Sequence, residues 1–214
     1  MTVPQRVEAA ALLLSLDPPP WFVRHACAVA EVAAFLAARI TAQGIAVDRR
    51  LVESAALLHD ADKALPPDDP ARALRHGDGS ADWLTRRGHP ELARAVADHP
   101  VTRLADGEAY GRWAAFASRE ARIVAYADKR AGQRLGSIDE RFASWLRRYP
   151  ERAVDGRREG WDETTWRAVR RRAGRLEADV CRAAGIEPKD VRRLPWTGDA
   201  LRRARATAAA QVAA

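Results

Sequence analysis

Leu51-Val52-Glu53-Ser54-Ala55-Ala56-Leu57-Leu58-His59-Asp60 is the stretch on which the reading of this chain turns. Its apolar residues crowd nearly every side of one short helix, which marks a segment buried all round. Asp48, just upstream, offers an N-cap. The helix ends in a histidine and an aspartate. A carboxylate in such apolar company needs a cation or strong donors to be tolerated. Leu65-Pro66-Pro67-Asp68-Asp69-Pro70 cannot continue a helix and reads as a loop.

Working outward, the same helical period recurs. After Pro18-Pro19-Pro20, apolar residues fall at Phe22, Ala26, Val29, Ala33, Leu36 and Ile40, steps of three and four that make one buried face. Gly44 suits the stop, because a left-handed residue there costs glycine little. Downstream, Ser80 can cap a helix through Leu84 that stops at Gly88, and Pro90 suits the first turn of another ending near His99-Pro100. Residues 101–118 show no clear element, and the sequence does not say whether they form a lid. Arg119 to Ala131 reads as a helix with Ile123, Val124 and Ala127 inward. Ser137-Ile138-Asp139-Glu140 fits a capping box that opens a helix with Ile138, Phe142, Trp145 and Tyr149 on one side. Asp162 to Ala184 is a further helix, ended by Gly185. The Arg/Ala-rich segment past Pro195 reads as a loosely held helix or a disordered tail. No repeat and no strand-like alternation is visible, so the expected fold class is all-α.

The chain carries a net charge of +7. Residues 1–146 hold 19 basic and 19 acidic residues, whereas residues 147–214 hold 17 and 10. The excess therefore lies wholly in the C-terminal third. A basic flank attracts polyanions or nucleic acid, although an arginine-rich solvated surface explains it as well. Trp161, Trp166 and Trp196 lie among those arginines; they either stack on bases or, the simpler reading, pin an added helix to the core. The apolar run Ala9 to Leu16 is too short to cross a bilayer. Cys27 and Cys181 sit in helical patterns as free thiols, which suits a reducing, cytoplasmic setting.

Histidines are concentrated around the buried helices. His25 lies on the apolar face, three residues after Phe22 and four before Val29. Asp128 follows Val124 by one turn and points inward with it. Alone, His25 would read as a satisfied core residue and Asp128 as half of a buried ion pair. Together with His59-Asp60 they form the order His, His-Asp, Asp, the residue types that hold divalent transition metals. In this the chain resembles the HD-domain phosphohydrolase superfamily, an all-helical fold, over about residues 20–150. Arg75-His76-Gly77, Ala95-Val96-Ala97-Asp98-His99 and Ile123-Val124-Ala125-Tyr126-Ala127-Asp128 are similar to the branch that hydrolyses diadenosine tetraphosphate symmetrically. The resemblance implies an HD domain over residues 1–150 with a helical extension, 151–214, packed on it. It implies two metals, one held by His25, His59, Asp60 and Asp128, the other by Asp60, His76 and His99, with Asp60 bridging. Iron or manganese is expected first; nickel, cobalt or zinc would also suit such ligands. Two such ions activate a water to attack phosphorus, with Asp60 and Lys63 at the reacting phosphate and Lys63, Arg130 and Arg134 on substrate oxygens.

Some positions depart from that branch. It usually carries a proline after the last aspartate and then arginine; here Lys129-Arg130-Ala131-Gly132-Gln133-Arg134 has the arginine without the proline. Pro100 follows the fourth histidine where threonine is usual. His89 has no counterpart and reads as structural or exposed. Asp98 is a candidate for orienting His99, and Asp62 reads as exposed or as a supporting partner. Gly77 and Gly79 form no phosphate loop and instead let the backbone bend around the site. The partner expected is a small phosphorylated molecule, a nucleotide in the first instance, with no membrane and with room for a homodimer. Nucleoside monophosphates and cyclic nucleotides are the neighbouring substrates. A non-enzymatic sensor or scaffold, or a nucleic-acid binder using the basic third, is the reading from another class.

Overall fold

A computed structural model describes residues 3–154 and 157–213. Its elements follow from the local signals. Helix α1 (Arg6–Leu14) grows out of the first apolar run. Helix α2 (Pro20–Ala42) starts with proline in its first turn and has 13 buried side chains, six of them alanine. Small side chains let neighbouring helices approach closely, and α2 packs against α3 (Arg49–Leu58), α7 (Arg119–Arg130) and α9 (Glu163–Ala184). By length and composition α2 could cross a membrane; in this fold it is the central, mostly buried helix. Gly44, with φ +77°, follows its end, as the sequence predicts.

Asp48 caps α3, accepting from the Leu51 N–H at 2.9 Å. Every side chain from Val52 to Leu58 is buried. The one carboxylate among them, Glu53, is met by the Arg6 guanidinium at 2.5 and 2.7 Å, a two-pronged pairing that a planar fork makes well. After α3 come a short 3-10 turn (Ala61–Lys63), α4 (Asp78–Arg86), α5 (Pro90–Val96) and a second turn (Val101–Leu104). Helix α4 begins two residues before the predicted cap. Ser80 lies inside it, and its hydroxyl accepts from the Asp62 N–H at 3.1 Å, so the cap position passes to Gly77.

Residues 101–118 form the second turn and a surface helix, α6 (Gly107–Phe116), in which no residue is buried. The Ser137–Glu140 capping box opens α8 (Ile138–Arg148) as expected. The break after it holds a short antiparallel hairpin, β1 (Arg152–Val154) with β2 (Arg157–Glu159). Three-residue strands are too short to show alternation in sequence. Gly185, with φ +62°, ends α9. The last helix, α10 (Thr197–Ala213), packs on α1 through Ala200, Leu201 and Ala204; its residues are exposed from Arg205 through Val212. Tryptophans of the basic third pack rather than project. Trp161 stacks on Tyr149 with centroids 4.6 Å apart, and Trp166 meets Trp161 edge-on at 4.7 Å. Buried residues on both sides of residue 150 belong to one apolar cluster.

Candidate metal centre

Five elements deliver the candidate side chains to one place. His25 comes from the first turns of α2, and His59 and Asp60 from the end of α3. His76 comes from the loop before α4, His99 from the turn after α5, and Asp128 from α7. The loop with His76 depends on Gly77, whose φ is +89°. A Cβ there would lie 2.4 Å from the Ala97 carbonyl oxygen and 3.0 Å from the Pro100 ring. Only glycine brings the His76 loop against the His99 turn.

Each histidine spends its Nδ1 on a fixed acceptor. His25 Nδ1 is 3.2 Å from Gly132 O, His59 Nδ1 2.8 Å from Ala56 O and His99 Nδ1 2.7 Å from Val96 O. His76 Nδ1 is 2.8 Å from Asp62 Oδ2. With the proton at Nδ1, every Nε2 presents a lone pair, and all four Nε2 atoms turn toward the carboxylates. Asp60 Oδ2 is 3.2 Å from His25 Nε2, while Asp60 Oδ1 is 3.1 Å from both His76 Nε2 and His99 Nε2. The two oxygens of Asp60 thus face different histidines. Asp128 Oδ1 lies 3.6 Å from His25 Nε2 and 3.7 Å from His59 Nε2. His25 Nε2 and His59 Nε2 are themselves 3.2 Å apart. Two lone pairs that close repel unless a cation lies between them. The donor set therefore fits divalent metal, in three overlapping groups: His25, His59 and Asp128; His59, Asp60 and His99; and Asp60, Asp62 and His76.

The electrostatics point the same way. Burial would raise Asp60, but His59, His25, His76 and His99 hold it well below the usual carboxylate range. Asp128 is likewise lowered against its burial, chiefly by His59. His99, fully enclosed, is pushed down to about 4 despite Asp60, so at neutral pH it is the uncharged form that binds metals. On the open side, burial disfavours charge on His76, yet Asp60 and Asp62 raise it to about 9. Without a metal, a proton takes over part of the cationic role.

Two supporting residues had weak signals in the sequence. Asp62 is buried and accepts from both His76 Nδ1 and the Gly77 N–H, at 2.8 and 3.0 Å, so it is the supporting partner and not an exposed side chain. Lys129 is buried, its ammonium pushed down to about 8 by that burial, and it donates to the carbonyls of His99 at 2.6 Å and Ala125 at 3.1 Å. Asp98, by contrast, faces Arg103 at 3.6 Å and leaves His99 to Val96. His89 lies elsewhere, at the start of α5.

The centre forms the floor of a cleft of about 430 Å³. Lys63 borders it, with Nζ 2.6 Å from Asp60 Oδ2. The structure does not bring Arg130 or Arg134 there. Arg130 is buried and occupied by Gly136 O, Tyr126 Oη and Pro188 O at 2.7, 2.7 and 2.9 Å. Arg134 is exposed and does not line the cleft. Instead α8 supplies Arg141, Ser144, Trp145 and Arg148, and Tyr149 and Trp21 complete the rim. Of residues 101–118, only Val101 borders the cleft.

The HD domain family matches residues 22–132, a little over half of the chain. The chain belongs to the HD domain family. The HD domain match spans all six converging side chains and stops at Gly132, before α8. No curated protein and no solved structure matched the chain.

Proposed function

We propose that this HD domain protein is a metal-dependent phosphohydrolase that cleaves a phosphoester or phosphoanhydride of a nucleotide. One observation carries the reading: four Nε2 lone pairs and two carboxylates converge, with every Nδ1 proton already spent on a protein acceptor. His25, His59, Asp60 and Asp128 would hold one ion, and Asp60, His76 and His99 the other. Iron or manganese is the first expectation. Bound there, divalent ions supply Lewis acidity and an activated water for attack on phosphorus. The protein's own part is positioning. Asp62 fixes the His76 ring, Gly132 fixes His25, and Lys63 stands beside Asp60 with an ammonium for a phosphate oxygen. Dinucleoside polyphosphates are the first substrates to test, on the strength of the His76 and His99 positions. The free thiols Cys27, half-buried, and Cys181, buried, suit a reducing compartment such as the cytoplasm.

The test is elemental analysis of purified protein with a phosphate-release screen over nucleotides, dinucleotides and aryl phosphates. The expected result is up to two transition-metal ions per chain and turnover of at least one nucleotide. Metal-free protein that stays silent with every added divalent ion would overturn the reading. Nucleotide binding without phosphate release would favour a sensor.

A further inference from the structure

Arg141 is held in the cleft in a way that nothing in the metal centre requires. It projects from α8 and is half-buried, and its Nε is enclosed without a hydrogen-bond partner. A buried donor left unpaired is costly, more so when charged, and such groups in native proteins call for a reason. The side chain is nevertheless seated. Its guanidinium carbon lies 5.7 Å from the Trp145 ring centre. It also rests on Gly132, where a Cβ would come within 2.8 Å of its terminal nitrogen. The carbonyl of that same Gly132 is 3.2 Å from His25 Nδ1. One glycine thus supports a metal-site histidine with its carbonyl and the arginine with its missing side chain.

The placement of neighbours gives the chemistry. Ser144, Trp145 and Arg148 line the same cleft; at three, four and seven residues beyond Arg141 they share its helix face. Arg148 stands about 10 Å further along the axis, at 1.5 Å per residue. Lys63 borders the cleft from the histidine side. One phosphoryl group at the metal centre needs Lys63 and the ions alone. It leaves the α8 arginines over, and guanidinium forks match phosphate oxygens in pairs.

We propose that Arg141 is a substrate-specificity residue: it binds a second phosphoryl group of the substrate, one that is not attacked, and so selects oligophosphate chains over monophosphate esters. This rests on the phosphohydrolase reading above. Arg141 takes the task expected of Arg130, which Tyr126 and Pro188 already occupy. It lies on α8, beyond the stretch matched by the HD domain family.

The experiment compares manganese-loaded, full-length wild type with Arg141→Ala and Arg141→Lys. Inorganic tripolyphosphate and orthophosphate are titrated calorimetrically, and kcat/KM is measured for a dinucleoside tetraphosphate and an aryl monophosphate. For Arg141→Ala, tripolyphosphate affinity is expected to fall on the order of 10- to 100-fold, the worth of a charge-assisted pair. The ratio of tripolyphosphate to orthophosphate affinity falls with it, and so does the kcat/KM ratio of the two substrates, through KM more than kcat. Arg141→Lys keeps the charge but not the fork, and loses less. Unchanged tripolyphosphate affinity, or equal weakening of both anions, overturns the proposal. Melting temperature and metal content are read alongside; if Arg141→Ala does not fold, Arg141→Lys decides by the same ratios. If the wild type hydrolyses neither substrate, the hydrolase reading fails on its own and the tripolyphosphate titration still decides on Arg141.

Discussion

The histidine side of the cleft and the α8 side are completed differently. On the histidine side each ring has its outer nitrogen satisfied by Gly132, Ala56, Val96 or Asp62. On the α8 side it is a cation that is left over: Arg141 keeps an enclosed N–H without a partner, while on the histidine side the one enclosed atom without a partner, among the described residues, is the acceptor Asp62 Oδ1, and Trp21 stands 46% exposed at the rim. The first side lies inside the stretch matched by the HD domain family, and the second lies beyond it. On the proposed reading, the first side is fixed by the protein for a resident ion, and the second keeps hydrogen-bonding capacity for a passing substrate. The variants below separate these two kinds of construction.

The largest effect is expected at the histidine side. His59→Ala should reduce turnover to the assay limit and strip metal, while far-ultraviolet circular dichroism retains most of the helix signal. Near-normal rates would take His59 out of the centre. Next comes the metal itself. An ion present at a thousand times its Kd stabilises by about 4 kcal/mol, which in a chain of this size raises Tm by roughly 8–16 °C. Chelation should lower Tm by that order, and adding manganese should restore it. A melting curve indifferent to both would break the contrast between the two sides.

Asp62 and Asp98 provide a finer comparison. Asp62→Ala frees the His76 ring and the Gly77 N–H, and loss of such a supporting partner costs roughly 10- to 100-fold in metal affinity. Asp98→Ala removes only a partly exposed contact with Arg103, worth at most about 1 kcal/mol, and should leave metal affinity alone. Equal effects from the two would mean that His76 is not oriented as the structure has it.

How far all this can be read in the sequence depends on what kind of signal each residue carries. His25, His59, Asp60 and Asp128 stand out because polar groups on apolar helix faces are conspicuous, and these positions meet. Gly44, Gly185 and the Ser137–Glu140 box mark helix ends by local chemistry alone, and they do so in the structure. The start of α4 was less legible because Ser80 has two uses, and the tertiary one, on Asp62, prevails. Arg130 is placed by helix period alone. It lies two residues after Asp128 on the same helix, some 200° around it, so both cannot face one cleft. Arg141 gives no local signal at all. An arginine on an amphipathic helix looks like a solvated one until Gly132 and Trp145 are seen against it.

The smallest effect is expected farthest from the cleft. The C-terminal third carries the positive excess, but much of it is already engaged. Arg170 meets Asp139 at 2.6 Å, Arg172 donates to the Leu104 and Ala105 carbonyls, and Arg193 lies 3.7 Å from Glu31. Helix α10 itself has two unlike halves. Ala200, Leu201 and Ala204 are buried where the helix packs on α1, Thr197 donates to Glu31 of α2 at 2.7 Å, and Trp196 just before them lies under the Arg6 guanidinium at 4.7 Å. Residues 205–212 are exposed. Ending the chain after Ala204 should therefore move Tm by no more than about 1–2 °C, the scale of a surface change below 0.5 kcal/mol, with turnover unchanged. Removing residues 187–214 should cost far more, because it uncovers α1 and takes the Pro188 carbonyl from Arg130; burying one leucine alone is worth about 1.5–3 kcal/mol. Salt-dependent binding to a single-stranded oligonucleotide, measured on wild type and on a variant with Arg202→Ala, Arg203→Ala and Arg205→Ala, then isolates the exposed arginines of α10. If that binding vanished while hydrolysis stayed, the tail would be an accessory for polyanions. If neither protein bound, the basic third would serve packing alone.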